Sequence, residues 1–312
     1  MLSACGEVPA DSVSEADETA AVESGETVEF DETDSPTASA KKGTYTAPTL
    51  MLSEYKGEIA EEIDEVQMDD SGLEKGYIGF SAKADNDLVL QIVKDEEKYR
   101  YALNPDGTPS IFPLQMGDGT YEFFVCRRIE GKSYAVLAKG TLEVELDDEF
   151  QPFLRPSDYV SYDRRSEVVK KGKELAKGAG TAVDVVKAVY DYVTKNVKYD
   201  TEKAKKADTD IPALPDETLK TGEGICLDYA ALAAALLRSQ GIPTKMIYGY
   251  VGEDDLYHAW NMFYTKETGW VTVKFNVNKK NAWYRLDLTF SAGGAPAEFV
   301  GDGSNYRDLH TY

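Results

Sequence analysis

Three residues scattered over the second half of the chain have the types needed for covalent acyl transfer: Cys226, His258 and Asp287. Cys226 follows Gly222-Glu-Gly-Ile and opens Leu-Asp-Tyr-Ala-Ala-Leu-Ala-Ala-Ala-Leu-Leu-Arg, so a loop is expected to turn into a helix at or near the cysteine. Gly241 is placed to cap that helix in a left-handed conformation, and Pro243 stops any continuation. Cys226, Tyr229 or Ala230, Ala233 and Leu237 share one side, which turns the thiol toward protein. A thiol at a helix start lies beside unpaired N–H groups and the positive end of the dipole, a setting that favours thiolate. A small buried core residue would fit the same position, so the partners decide. His258 lies in Tyr257-His-Ala-Trp-Asn-Met-Phe-Tyr264, a strand-like run with His258, Trp260, Met262 and Tyr264 on one face. Asp287 lies in Trp283-Tyr-Arg-Leu-Asp-Leu-Thr-Phe290, where burying a carboxylate is costly unless a group such as an imidazole pairs with it. Nucleophile, base and orienter is the arrangement these types suggest.

Gly-Ile-Cys226-Leu-Asp-Tyr-Ala with Leu-Leu-Arg-Ser-Gln-Gly-Ile-Pro, then His258-Ala-Trp-Asn, then Trp-Tyr-Arg-Leu-Asp287-Leu-Thr-Phe together resemble the core of the transglutaminase-like superfamily, a papain-like Cys-His-Asp fold. The resemblance covers roughly residues 180 to 312 and keeps the family's chain order. It implies Cys226 as nucleophile, His258 as base and Asp287 as the residue that holds the histidine. Two departures bear on the Asp287 loop: Leu288 stands where the family often has proline, and a long connection runs from Val271 to Ala282. Phe299-Val-Gly-Asp-Gly-Ser-Asn-Tyr306 resembles the closing segment of bacterial secreted members.

The elements that must position these residues follow from patterning. The expected class is α+β: a small β-sandwich-like domain over residues 44–160, then over 161–312 a transglutaminase-like domain with a helix packed on an antiparallel sheet. Strands are expected at Gly76–Phe80, Asp87–Val93, Lys98–Tyr101, Gly119–Cys126, Tyr134–Ala138 and Thr141–Leu146, with turns at Asn104–Gly107, Gly117–Gly119 and Glu130–Lys132. A helix over Glu54–Asp64 is also allowed. Cys126 reads as a small buried hydrophobe. Phe150–Pro156, with two prolines, reads as a linker. Helices are expected over Arg165–Leu175 and after Thr181, whose pairing with Asp184 makes a capping box ahead of the stripe Val183, Val186, Tyr190, Val193. Lys203–Lys206 reads as a solvated loop, Thr244–Val251 and Trp270–Phe275 as strands, and His310 as part of a polar segment without chemistry.

The net charge of -22 disfavours nucleic acid as a partner. Three cysteines are too few for a disulfide framework, and no ligand spacing, phosphate loop or calcium loop implies a metal or other cofactor. Leu2-Ser-Ala-Cys5-Gly resembles a bacterial lipobox, which implies lipidation at Cys5, residues 1–5 as the remnant of a signal and a start farther upstream. Residues 6–43 are rich in acids, Ser, Thr and Ala without a periodic apolar face, and read as a disordered acidic tether. The expectation is therefore an extracytoplasmic protein, lipid-anchored to a bacterial cell membrane. Its Cys226 would act on peptide or isopeptide amides of envelope proteins through a thioester, with hydrolysis favoured over cross-linking. The alternative is a non-catalytic surface binding or scaffolding protein that keeps the fold.

Overall fold

A computed structural model describes residues 44–57, 59–63, 65–131, 133–206, 212–251, 256–265, 283–286 and 306–312. Cys5, the acidic stretch 6–43, the strand expected at 270–275 and Asp287 lie outside the described residues.

The first half is built from β1 (Ile59–Ile63), β2 (Val66–Asp69), β3 (Tyr77–Ala82), β4 (Leu88–Lys94), β5 (Glu97–Leu103), β6 (Ser110–Pro113), β7 (Gly119–Glu130) and β8 (Ser133–Val144). They form two antiparallel four-stranded sheets, β1-β2-β3-β6 and β5-β4-β7-β8. Inner residues of the two sheets meet, as where the Phe80 and Phe123 rings lie 5.7 Å apart. The period-2 pattern explains this: on β7, Tyr121, Phe123 and Val125 are buried while Thr120 and Glu122 face water. The helix allowed over Glu54–Asp64 does not form. Residues 54–57 carry no helix and Ile59–Ile63 form β1, where Ile59 and Ile63 pair across to β2. The two strands expected around Gly140 are one, β8, which follows the twelve-residue β7 through a bulge. Cys126 is half-buried on β7 rather than fully buried.

Asp69 ties the leading segment to this sheet, accepting from the backbone N–H groups of Lys56 (2.6 Å), Gly57 (2.8 Å) and Ser71 (3.0 Å). Burial alone would raise its carboxyl, but the bonds from Ser71, Gly57 and Lys56 outweigh it and hold the group below its ordinary 3.8. A folded value below the unfolded one gives stability that is complete above the unfolded pKa and lost as pH falls through the lowered one. Asp69→Asn is therefore expected to lower stability at neutral pH and to flatten the acid limb below about pH 4. An acid titration followed by circular dichroism that superimposes on wild type would contradict this.

Phe150–Pro156, expected as a linker, is packed: Gln151, Pro152, Phe153 and Leu154 are buried in and after a 3-10 turn, with Phe150 4.1 Å from the Tyr264 ring. After it come α1 (Glu167–Ala176), α2 (Ala182–Asn196), β9 (Lys198–Tyr199), α3 (Thr201–Ala204), α4 (Pro215–Thr221), β10 (Glu223–Gly224), α5 (Cys226–Arg238), β11 (Thr244–Val251), β12 (Leu256–Tyr264), β13 (Trp283–Leu286) and β14 (Tyr306–Thr311). The Thr181 capping box is present, Asp184 N–H donating to Thr181 Oγ1 at 3.1 Å and Thr181 N–H to Asp184 Oδ2 at 3.0 Å. On α2, Val189 joins the buried stripe and Tyr190 is half-buried. The sheet runs β13-β12-β11-β14, antiparallel throughout.

Helix α5 packs on β11 and β12 on one side and on α1, α2 and α4 on the other. That explains its composition: an Ala- and Leu-rich helix buried all round needs small residues wherever a neighbour comes close. Gly172 of α1 is one such place, since a Cβ there would lie 2.6 Å from Ser239 Oγ. Arg238, 1% exposed, closes the helix by donating to the carbonyls of Thr244 (2.9 Å), Arg155 (2.9 Å) and Tyr312 (2.8 Å). Gly241 takes the left-handed conformation expected of it, φ +78°, against Pro48.

Candidate active site

Cys226 is the first helical residue of α5, with Ile225 as its extended N-cap. The approach to it is fixed by backbone. Gly222 ends α4 at φ +65°, and the two-residue strands β9 and β10 pair in parallel, with Lys198 N–H on Gly222 O and Asp200 N–H on Gly224 O, both 2.9 Å. Asp228, buried in the first turn, accepts from Ile225 N–H at 2.8 Å, and Lys203 Nζ donates to its two oxygens at 2.8 and 2.7 Å. A Cβ on Gly224 would come within 2.5 Å of Asp228 Cβ, so only glycine leaves the carboxylate this space. Lys203, expected in a solvated loop, is exposed but lies in α3 and has a partner. Its ammonium is the counter-ion of the carboxylate that braces the cysteine's own turn. An acid in the first turn of a helix is the sequence signal that points to Asp228.

Cys226 is half-buried, and its charge is felt by two tyrosines. Tyr199 on β9 is 46% exposed; burial raises its phenol, and Cys226 adds to the shift. Tyr248 on β11 is 3% exposed; burial pushes its phenol far above the ordinary 10, with Tyr159, Tyr312, Tyr257 and Cys226 contributing in that order.

His258 lies on β12 opposite Gly249 of β11 and is buried. Its ring stacks on Trp260 with centroids 6.3 Å apart. A Cβ on Gly249 would meet Trp260 Cη2 at 2.6 Å, so the glycine leaves room for that indole. Side chains alternate along a strand, so Asn261 and Ala259 point the other way. Asn261 Nδ2 reaches α5, donating to Ala230 O at 3.0 Å. His258 and Trp260 therefore lie on the sheet face away from α5. The described ring contacts bring His258 together with Trp260, while Tyr199 and Tyr248 are the phenols that respond to Cys226. His310, expected as part of a polar end segment, is instead a strand residue paired with Tyr248, its ring 5.3 Å from Tyr99.

This order of helices, sheet and cysteine is also where the likeness to known proteins falls. Residues 170–275 match the transglutaminase-like superfamily. The matched stretch contains Cys226 and His258 and stops before Asp287. The chain is 39% identical over 67 residues to UPF0252 protein MJ1282 of Methanocaldococcus jannaschii, covering 20% of this chain and 19% of that one. It is 31% identical over 116 residues to uncharacterized protein YebA of Bacillus subtilis, covering 32% of this chain and 16% of YebA. The chain thus spans less than a fifth of the length of either relative. Among solved structures, a candidate cysteine protease of Cytophaga hutchinsonii is similar at 17% identity and a TM-score of 0.40, over 74% of this chain and 73% of that one. Among the described residues, no group of metal-binding side chains is present and no helix is long and apolar enough to cross a membrane.

Proposed function

We propose that the second half of the chain is a thiol enzyme that breaks peptide or isopeptide amides through a thioester on Cys226. The observation that carries this reading is the placement of Cys226: half-open to solvent, first in a buried helix, its turn braced by Asp228 and Lys203. A structural cysteine needs neither the opening nor the brace. In the reaction the thiolate attacks the amide carbonyl, the leaving amine takes up a proton, and water resolves the thioester. His258 is assigned as the base and proton donor, and Asp287 as the residue that orients it, on the order of the three motifs. Hydrolysis is favoured over transfer to a second amine because water always competes. Lipidation of Cys5, with residues 6–43 as tether, would present the enzyme to envelope proteins; this part rests on the lipobox resemblance.

A second reading, a surface binding protein that keeps the fold without turnover, is favoured by one observation: the His258 side chain shares its sheet face with Trp260 and not with α5. Turnover separates the two. Incubation with glutamine- and isopeptide-bearing peptides, followed by mass spectrometry of the Cys226 peptide, is expected to trap an acyl-enzyme in wild type. None should form in Cys226→Ala, and formation should slow about 100-fold in His258→Ala. An added fluorescent amine should be incorporated poorly relative to hydrolysis. Absence of any acyl adduct in folded wild type would leave the binding reading, and equal rates in His258→Ala would remove the histidine from the mechanism.

A further inference from the structure

Tyr248 is a buried phenol whose hydroxyl has no hydrogen-bond partner among the described residues. Its ring is well provided for, 5.3 Å from Tyr312, 6.1 Å from Tyr257 and 6.5 Å from Tyr159, but these contacts engage the ring and not the oxygen. Leaving a buried hydroxyl unbonded costs on the order of 1–3 kcal/mol, and phenylalanine would fill the same space without that cost. The register says which turn of α5 the residue stands beside. Tyr248 pairs with Ala259, and the neighbouring pair on the same face is Met246 with Asn261. Asn261 touches Ala230, one turn along α5 from Cys226. Two residues of strand and one turn of helix advance by similar lengths, about 5–7 Å, so Tyr248 stands level with the first turn of α5. Its electrostatic coupling to Cys226 agrees with that placement.

We infer that the Tyr248 hydroxyl donates a hydrogen bond to the acyl oxygen of the substrate on Cys226, so that it forms part of the oxyanion site. This rests on the thioester reading above and adds a residue that reading does not contain. The electron flow is simple. The thiolate lone pair forms the C–S bond, and the carbonyl π pair moves onto oxygen, where the Tyr248 O–H stabilises it. The pair then returns as the leaving group departs with its own bonding electrons. Tyr248 keeps its proton throughout, since burial disfavours the phenolate. A donor already in place and dry is the kind that contributes most to such a step, and loss of one typically slows it by about 100-fold or more.

The test compares two reactions at one sulfur. Acylation of Cys226 by p-nitrophenyl acetate passes through an oxyanion and releases p-nitrophenolate; alkylation by iodoacetamide displaces iodide and makes no oxyanion. In Tyr248→Phe, acylation should fall about 100-fold while alkylation stays within about twofold of wild type. The melting temperature should be unchanged or raised, because an unbonded buried hydroxyl has been removed. Equal acylation in the variant and wild type overturns the assignment of Tyr248 alone. A parallel fall in both reactions also overturns it, since the phenol would then act on the sulfur or on the packing; Tyr248→Leu, which removes the ring as well, identifies packing by a loss of melting temperature. Wild type that alkylates but does not acylate at Cys226 removes the thioester reading itself, and this inference with it.

Discussion

Arg238→Met is expected to lower the unfolding free energy by about 3 kcal/mol, the net of a large loss and a partial relief. Arg238 brings a charge into the core, where burial pulls its guanidinium down to about 10 and Tyr162 offsets part of that. Removing the charge relieves that desolvation. The loss is greater, because three carbonyls on three different segments share this one side chain: Arg155 from the packed 150–156 stretch, Thr244 at the start of β11 and Tyr312 beside β14. Tyr312 O keeps a bond from Met246 N–H, so two carbonyls are left without the donor they now use. At roughly 2–4 °C per kcal/mol for a chain of this size, the melting temperature should drop by about 6–12 °C. Arg238→Lys should recover little, because an ammonium on a single stem does not reproduce the planar fork. A melt of Arg238→Met within about 2 °C of wild type would show that the segments hold together without it.

The second large effect falls on the cysteine's own turn. Asp228→Ala removes the acceptor of the Ile225 N–H and the counter-ion of Lys203 together. The Lys203 side chain is 49% exposed, so its Coulomb attraction is screened and contributes modestly. The buried N–H is not screened, and its orphaning, with loss of an acid at the helix start, should cost about 2–3 kcal/mol. The ranking Asp228→Ala worst, Asp228→Asn intermediate and Lys203→Ala within about 1 kcal/mol of wild type follows, and chemical denaturation measures it. Acylation at Cys226 should fall in the same order, because the turn that carries the sulfur loosens. Equal destabilisation by Lys203→Ala would mean that the ion pair, and not the carboxylate's grip on Ile225, holds the turn.

Much of this architecture was legible in the chain, and where it was not the reasons are physical. The start of α5 at Cys226, its glycine cap and the Thr181 box could be read because each depends on neighbours within a few residues. The strands of the first half could be read from alternation, but β2 and β6 were missed, being four residues each with little periodicity to show. The helix allowed at Glu54–Asp64 lost to pairing with β2, a partner that local propensity does not see. Segment 150–156 was misjudged because prolines mark a break in secondary structure, not exposure. Residue type singles out Cys226 and His258 as candidates. That Asp228 grips the cysteine's own turn, and that Tyr248 falls level with it, depends on which strand residue lies opposite which helical turn, and a linear pattern carries no such register.

The tyrosine cluster between the halves has a consequence for how the protein comes to be active. Thr311 N–H donates to Tyr99 OH across 212 positions of sequence, Tyr45 OH donates to Gln240 O across 195, and the Tyr312 ring stacks 4.3 Å from Tyr159. Contacts of this span form only after long loops have closed, and chains that depend on them fold slowly. Tyr248, level with the first turn of α5, rests its ring on Tyr159 and Tyr312, and Tyr312 rests on Tyr99 and Tyr101 of the first half, so the final shape of this region waits on the first half being in place. A nascent chain would carry an exposed thiol but an unfinished pocket, and competence for chemistry would arrive as one of the last events of folding.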